Sequence, residues 1–414
     1  MATGQLPRDN IPSMQTATLA ANLDRLERQF EAVVAAEFPR RQEIYLNTGS
    51  SGRKPTSVLQ AVAEGTEKLN INPTRTIFVD TDHYASARHA AARVLHADEK
   101  RLLLQNNTNQ AMHFILSNLL GPGDELVITN QEHGSVNAIS RLLEETRGVT
   151  TRRVEIDPFK GSAHLCESML AAISDKTRVV LVSEIGCYTG WRPDLRALQA
   201  GLPPRVELVI DGAHTPGQRD CDLTAHNYRF WVGSGHKWLG APSGTGFALL
   251  PPDVVPRFQP LLLDSEHYTK KDADAHDITR FETQGTSDVV KWWGLAAACD
   301  LFTRVGVAAV EEYQLALAQY FREEVEKLRP QFRTANLYRE NLDEATSMVV
   351  CYWPRERLLV EDLREALWEK HKLWVQPDFL SAVPGHGLRV ACHYSNNKAD
   401  IDLLLEALSA MVKS

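Results

Sequence analysis

The chain has 414 residues, of which 43% are hydrophobic and 24% charged. That balance excludes a disordered chain and a small scaffold in need of disulfide staples, and the length suits two or three domains. With 45 basic against 53 acidic residues, the formal net charge of −8 gives no electrostatic case for nucleic-acid binding. Residues 1–15 lack a charged-then-apolar signal pattern. Apolar runs such as 178–183 are strand-length, well short of the ~20 residues that span a bilayer, so no membrane partner is expected. The six cysteines, Cys166, Cys187, Cys221, Cys299, Cys351 and Cys392, form no CxxC pair and no framework spacing. The expectation is a cytoplasmic protein with reduced thiols.

In chain order, a helix is predicted over residues 18–35. From 101 to 250, short β-rich runs alternate with helical stretches. Strands at 101–105, 125–129, 151–156 and 177–185 are followed by helices at 110–120, 133–145, 165–174 and 194–200. Further strands are predicted at 207–211, 229–234 and 246–250. Near-continuous apolar strands alternating with helices predict an α/β fold, a mostly parallel sheet with helices on both faces. Beyond residue 287 the texture changes to long helices at 287–305 and 310–328. An extended run follows at 347–353, then a helix at 360–370, strands at 373–376 and 388–394, and a final helix at 399–412. The expected division is a large α/β domain over 43–290 and a smaller α+β domain built from 1–42 and 291–414.

The chemistry concentrates between residues 207 and 246. Asp211 ends a buried strand, and the next strand ends in a Gly/Ser turn carrying Ser234, His236 and Lys237. Ligands of open α/β sheets bind at the carboxyl ends of strands, so both groups should converge on one crevice. A partly buried lysine with a lowered pKa forms Schiff bases with carbonyls. Its best-known partner in that role is pyridoxal phosphate, whose pyridinium nitrogen needs a carboxylate opposite it. The plainer alternative is a salt-bridged lysine and a loop aspartate. The turn lacks the third glycine of a dinucleotide fingerprint, and no P-loop, HExxH or Cys/His spacing occurs, so neither a nucleotide nor a metal site is expected. Trp292-Trp293 and Phe230-Trp231 are expected to pack in the core or an interface.

Ser234-Gly235-His236-Lys237, preceded by Asp211-Gly212-Ala213-His214, resembles the class V aminotransferase family of fold-type I pyridoxal-phosphate enzymes. The resemblance is strongest to the subgroup of isopenicillin N epimerase, cysteine desulfurases and related C–S lyases. It implies the fold-type I transferase fold, a pyridoxal 5'-phosphate cofactor, an amino-acid substrate and a homodimer with its active site at the subunit interface. By the same resemblance Lys237 is the Schiff-base lysine, Asp211 the partner of the pyridinium nitrogen, and His214 the neighbour of the phenolic oxygen. His133 is the catalytic histidine stacked on the ring. Thr108 and Asn109, at a helix start that suits phosphate, hold the phosphate with Ser234 and His236. Gly285 and Thr286, after Gln284, reach it from the neighbouring subunit. Arg389 grips the substrate α-carboxylate, for which a planar fork is suited. The segment from Tyr45 to Gly52, with Asn47, forms part of the substrate wall.

Two departures bear on the reaction. Cysteine desulfurases carry a catalytic cysteine shortly before the arginine, and residues 374–388 contain none. Cys187 stands where the family often has an asparagine touching the cofactor, so Cys187 or Tyr188 is expected at the pocket instead. The expected reaction is β-elimination from an S-substituted cysteine, a C–S lyase activity in antibiotic or other secondary metabolism; lincosamide-type pathways use such relatives. The alternatives are decarboxylation-coupled oxidative deamination of such a conjugate and amino-acid epimerisation, with Tyr84 or Tyr188 as second acid. A different class of reading is a non-catalytic binding protein of the same fold.

Overall fold

The computed structural model describes residues 22–39, 42–263, 274–282, 285–328, 333–334, 344–353, 360–378 and 386–413. Its strands are β1 (Ile44–Tyr45), β2 (Leu102–Gln105), β3 (Glu125–Thr129), β4 (Thr150–Val154), β5 (Thr177–Ser183), β6 (Glu207–Gly212), β7 (Phe230–Ser234), β8 (Gly246–Leu249), β9 (Arg333–Thr334), β10 (Met348–Trp353), β11 (Leu373–Trp374), β12 (Gln376–Asp378) and β13 (His386–Ala391). Seven of them form the central sheet in the order β2-β8-β7-β6-β5-β3-β4. All its pairings are parallel except those of β8, which runs against both β7 and β2. This is the α/β architecture with a mostly parallel sheet that the strand–helix alternation predicts.

The apolar runs are continuous because both faces of the sheet are covered. Successive residues alternate between two cores: Val180 and Val182 join one, Val179 and Leu181 the other, and Ile210 and Val209 divide the same way. That two-residue period is the pleat itself. The edges are handled differently. β4 carries Arg152 and Arg153 and is partly exposed, whereas β2 is capped. The Leu104 N–H donates to Glu282 Oε1 at 2.9 Å, and that buried carboxylate pairs with Arg88. A charged, covered edge cannot recruit another strand.

A second sheet, β12-β13-β10-β9, is antiparallel. It is tied to the N-terminal segment by the parallel pair β1–β11 and by a bridge between Asn47 and Ala391. The helix Val290–Val305 packs against two helices, Thr56–Ile71 and Asp82–Val94, which the sequence reading leaves unassigned. The predicted helix at 287–305 starts three residues late, at Val290, whose N–H donates to the Asp288 carboxylate at 2.9 Å. The predicted strand at 373–376 is broken at Val375, and the one at 388–394 runs over His386–Ala391 before the chain turns. The N-terminal helix is seen as Leu23–Glu37, and residues 18–21 of its predicted span lie outside the described residues. Among the described residues no single helix is long and apolar enough to cross a membrane.

Candidate active site

A cavity of about 540 Å³ opens at the carboxyl ends of β5, β6 and β7, walled by residues 49–51 and by Arg389 from β13. At its centre is the return between β7 and β8. Because those strands are adjacent and antiparallel, residues 235–245 fold back tightly, with Gly235 N donating to Thr245 O at 3.0 Å and Gly240 N to Lys237 O at 3.1 Å. The N-terminal segment clasps this loop: Gly52 N donates to His236 O at 2.8 Å. A Cβ at Gly52 would stand 1.9 Å from the Lys237 carbonyl oxygen, so only glycine permits the approach.

Lys237 Nζ lies 3.2 Å from His214 Nε2. Burial pulls its ammonium down to about 8, against the opposing pull of Asp211. Trp238 Nε1, which can only donate, reaches His214 Nδ1 at 3.4 Å. His214 Nδ1 is therefore unprotonated. Burial and neighbouring cations hold the ring's pKa well below the ordinary histidine value, so its single proton sits on Nε2. The Asp211 carboxylate, on a residue 5% exposed, accepts the Ala213 N–H at 3.0 Å and makes no other hydrogen bond among the described residues. Burial raises its pKa; this is a carboxylate that gains from a cation beside it.

Beneath these groups sit two buried carboxyls to which the sequence reading assigned no role. Glu184 accepts from Thr215 Oγ1 at 2.6 Å and Trp231 Nε1 at 3.0 Å. Glu132 accepts from Thr129 Oγ1 and Ser183 Oγ, both at 2.6 Å, and from Ser183 N at 3.3 Å, and burial pushes its pKa up to about 7. It links the His133 loop to the end of β5. Glu132→Ala leaves two buried hydroxyl donors without an acceptor and should cost about 3 kcal/mol in denaturant unfolding. Glu132→Gln, which keeps the shape, should cost much less. Equal losses would refute this role.

At the other end of the cavity the helix Thr108–Leu119 begins. The Asn107 side chain caps it by accepting from Gln110 N at 2.9 Å. The Thr108 and Asn109 N–H groups have no partner among the described residues, as expected for a first helical turn. Thr108 Oγ1 and Ser234 Oγ meet at 2.6 Å beside them. His133 faces the cavity with Nδ1 accepting from Ser135 N at 3.1 Å, which places its proton on Nε2 when the ring is neutral. On the far wall Arg389 donates to Cys187 O at 2.5 Å and Ser50 Oγ at 3.0 Å, while its buried Nε has no partner among the described residues.

The structure thus brings Lys237, Asp211, His133, Thr108, Asn109, His214, Ser234, His236 and Arg389 around one cavity, with Cys187 beside them. Asn47 is a correction: it does not line the cavity but lies buried behind Arg389, contacting Nη2 at 3.4 Å and donating to Gln376 at 3.1 Å. Gly285 and Thr286 are exposed and outside the cavity of this chain, and Gln284 lies outside the described residues. Neither Tyr84 nor Tyr188 is in the lining. Trp231 and Trp292 are core residues, as expected.

The donor set suits pyridoxal phosphate along its length. Open N–H groups at a helix start await the phosphate, an under-partnered buried carboxylate the ring nitrogen, a lowered-pKa amine the aldehyde, and an orphaned guanidinium Nε a substrate carboxylate.

Comparison with known proteins agrees. The family described as aminotransferase class-V matches residues 44–370. Isopenicillin N epimerase of Streptomyces clavuligerus is 25% identical over 383 residues, covering 89% of this chain and 94% of its own. A probable cysteine desulfurase of Methanothermobacter thermautotrophicus is 24% identical over 387 residues, with the same coverage of 89% and 94%. Among solved structures, the cystine C–S lyase C-DES with its product cysteine persulfide superposes with a TM-score of 0.78 at 22% identity, covering 89% of this chain and 97% of that one.

Proposed function

This chain belongs to the aminotransferase class-V family and takes pyridoxal 5'-phosphate as its cofactor, and from that premise we propose that it cleaves an S-substituted cysteine by β-elimination. When bound, the cofactor supplies an electron sink that weakens the bonds at an amino acid's Cα. The residues of the chain do the rest. Arg389, steadied by Ser50, Cys187 O and Asn47, grips the α-carboxylate. Lys237 Nζ, with a pKa of about 8, takes the Cα proton. With the cofactor bound, Asp211 would keep its ring nitrogen protonated and His214 would offer its Nε2 proton to the phenolic oxygen. His133 would cover the ring, and Thr108, Asn109, Ser234 and His236 would hold the phosphate. Gly285 and Thr286 complete that site from a second copy of the chain. With the proton gone from Cα, the sulfur substituent leaves from Cβ as a thiolate.

One observation carries the choice of elimination: the cavity holds a single amine base, and the two tyrosines considered as acids for opposite-face reprotonation lie outside its lining. Persulfide chemistry on an enzyme thiol has little support. Of the six cysteines only Cys187 lines the cavity, and burial pushes the Cys392 thiol up to about 12. Residues 379–385 of the segment without cysteine lie outside the described residues. Epimerisation is the second reading, favoured by the epimerase relatives and by Cys187 as a proton donor in the cavity. Retention of both Lys237 and Asp211 supports catalysis over a binding role. A screen of S-substituted cysteines with product mass spectrometry tests this: pyruvate and ammonia support elimination, whereas an inverted amino acid, or carbon dioxide with an aldehyde, overturns it.

Arg389→Ala should raise KM about 100-fold, the ~2–3 kcal/mol of a charge-assisted two-point contact. The cofactor's visible absorbance should be unchanged. An unaltered KM would refute the assignment.

A further inference from the structure

A dianionic phosphate held by neutral donors needs a compensating cation, and the phosphate end of the cavity shows none in its lining. His236 is directed by its Nδ1 to Thr245 O at 3.3 Å, and burial lowers its pKa. Lys54, which donates to the Gly52 carbonyl at 2.7 Å and acts electrostatically on His236, is outside the lining. Behind the wall, however, stands Lys291, from the first turn of Val290–Val305. It is 7% exposed, and among the described residues it forms no ion pair within 4 Å. Its ammonium donates to Asn106 Oδ1, on the residue immediately before the helix cap Asn107, and lies 4.8 Å from the Trp292 ring centroid. The wall between it and the cavity is Gly244, a lining residue with φ of +83°. A Cβ there would lie 3.5 Å from Lys291 Cδ and 3.9 Å from Nζ, so the lining residue against the lysine is one without a side chain.

We propose that Lys291 supplies the fixed positive charge at the phosphate end of the cofactor site and is a specificity determinant for the phosphorylated over the unphosphorylated cofactor. A buried cation with no ion pair within 4 Å is costly in the empty protein; burial lowers the Lys291 pKa, against the opposing pull of Asp288. A bound phosphate removes that cost, which makes charge compensation the reason to keep a lysine there. The inference rests on the placement of the phosphate at Thr108 and Asn109.

The test is titration of wild-type, Lys291→Met, Lys291→Gln and Lys291→Arg apoproteins with pyridoxal phosphate and with pyridoxal, followed by visible absorbance, beside the apoprotein melting temperatures. Loss of the charge, in Met or Gln, should weaken pyridoxal phosphate at least tenfold, leave pyridoxal within twofold, and not lower the apoprotein melting temperature. Arg should stay within about threefold of wild type. The Gln variant keeps a donor for Asn106, so it also serves if the Met variant does not fold. Undiminished pyridoxal phosphate binding, an equal loss for both ligands, or a lowered apoprotein melting temperature overturns the proposal, the last two by reducing Lys291 to a prop for Asn106. If the wild type itself shows no preference for the phosphorylated form, the phosphate placement falls and Lys291 with it. A wild-type preference that survives in the Met and Gln variants sinks Lys291 alone.

Discussion

Lys237→Ala should abolish the cofactor's visible imine band and lower turnover by about 10⁴-fold or more, since both the covalent anchor and the proton acceptor at Cα are removed. The cofactor should still bind, because the groups around its phosphate are untouched. The wild type offers a finer check. Only a neutral amine adds to an aldehyde, and burial lowers the Lys237 pKa to about 8. The rate at which apoprotein captures pyridoxal phosphate should therefore rise with pH and level off above about 8. An inflection near the ordinary lysine value of roughly 10.4 would show that the cavity does not tune this amine.

Asp211→Asn should be the second most damaging change, lowering kcat by about 10²–10³-fold with the cofactor still attached. The amide oxygen can go on accepting the Ala213 N–H, so the fold at the end of β6 should survive. What is lost is the charge that keeps the ring nitrogen protonated. The expected spectroscopic sign is a cofactor band whose pH response shifts although Lys237 is intact. Turnover within a few-fold of wild type would remove Asp211 from the reaction.

The alternating strands and helices of residues 101–250 were readable because each strand except the edge strand β4 is buried on both faces and so appears as a largely apolar run. The site followed from that framework: Asp211 and Lys237 sit at strand ends, where such sheets bind ligands, and the structure puts both in one cavity. The helix Asp82–Val94 went unassigned because its buried face is built largely of Ala87, Ala90, Ala91 and Ala92, whose small side chains give a weak apolar signal, although Asp82, Ser86, His89 and Arg93 form an exposed polar stripe opposite them. The reversed direction of β8 was equally hidden, since a fully buried strand looks the same in either orientation. Glu132, Glu184 and Lys291 were passed over for a different reason. A buried charge is defined by its partners, and theirs come from other parts of the chain. The one available signal was adjacency: Glu132 precedes His133 at the end of β3, and Glu184 follows Ser183 at the end of β5. Asn47 shows the converse error, a correct neighbourhood with the side chain one layer behind the surface it was expected to form.

The clasp of Gly52 on the lysine loop and the seating of Arg389 against Asn47 set an order of assembly. The latter contact spans 342 residues, and closures of that span come late because their entropic cost precedes any gain. Every residue assigned to cofactor holding within this subunit, other than Lys291, precedes position 246, whereas the guanidinium belongs to a strand near the far end. Most of the grip on the vitamin-derived partner is thus written into an earlier part of the chain than the recognition of an amino acid, which depends on the last strand.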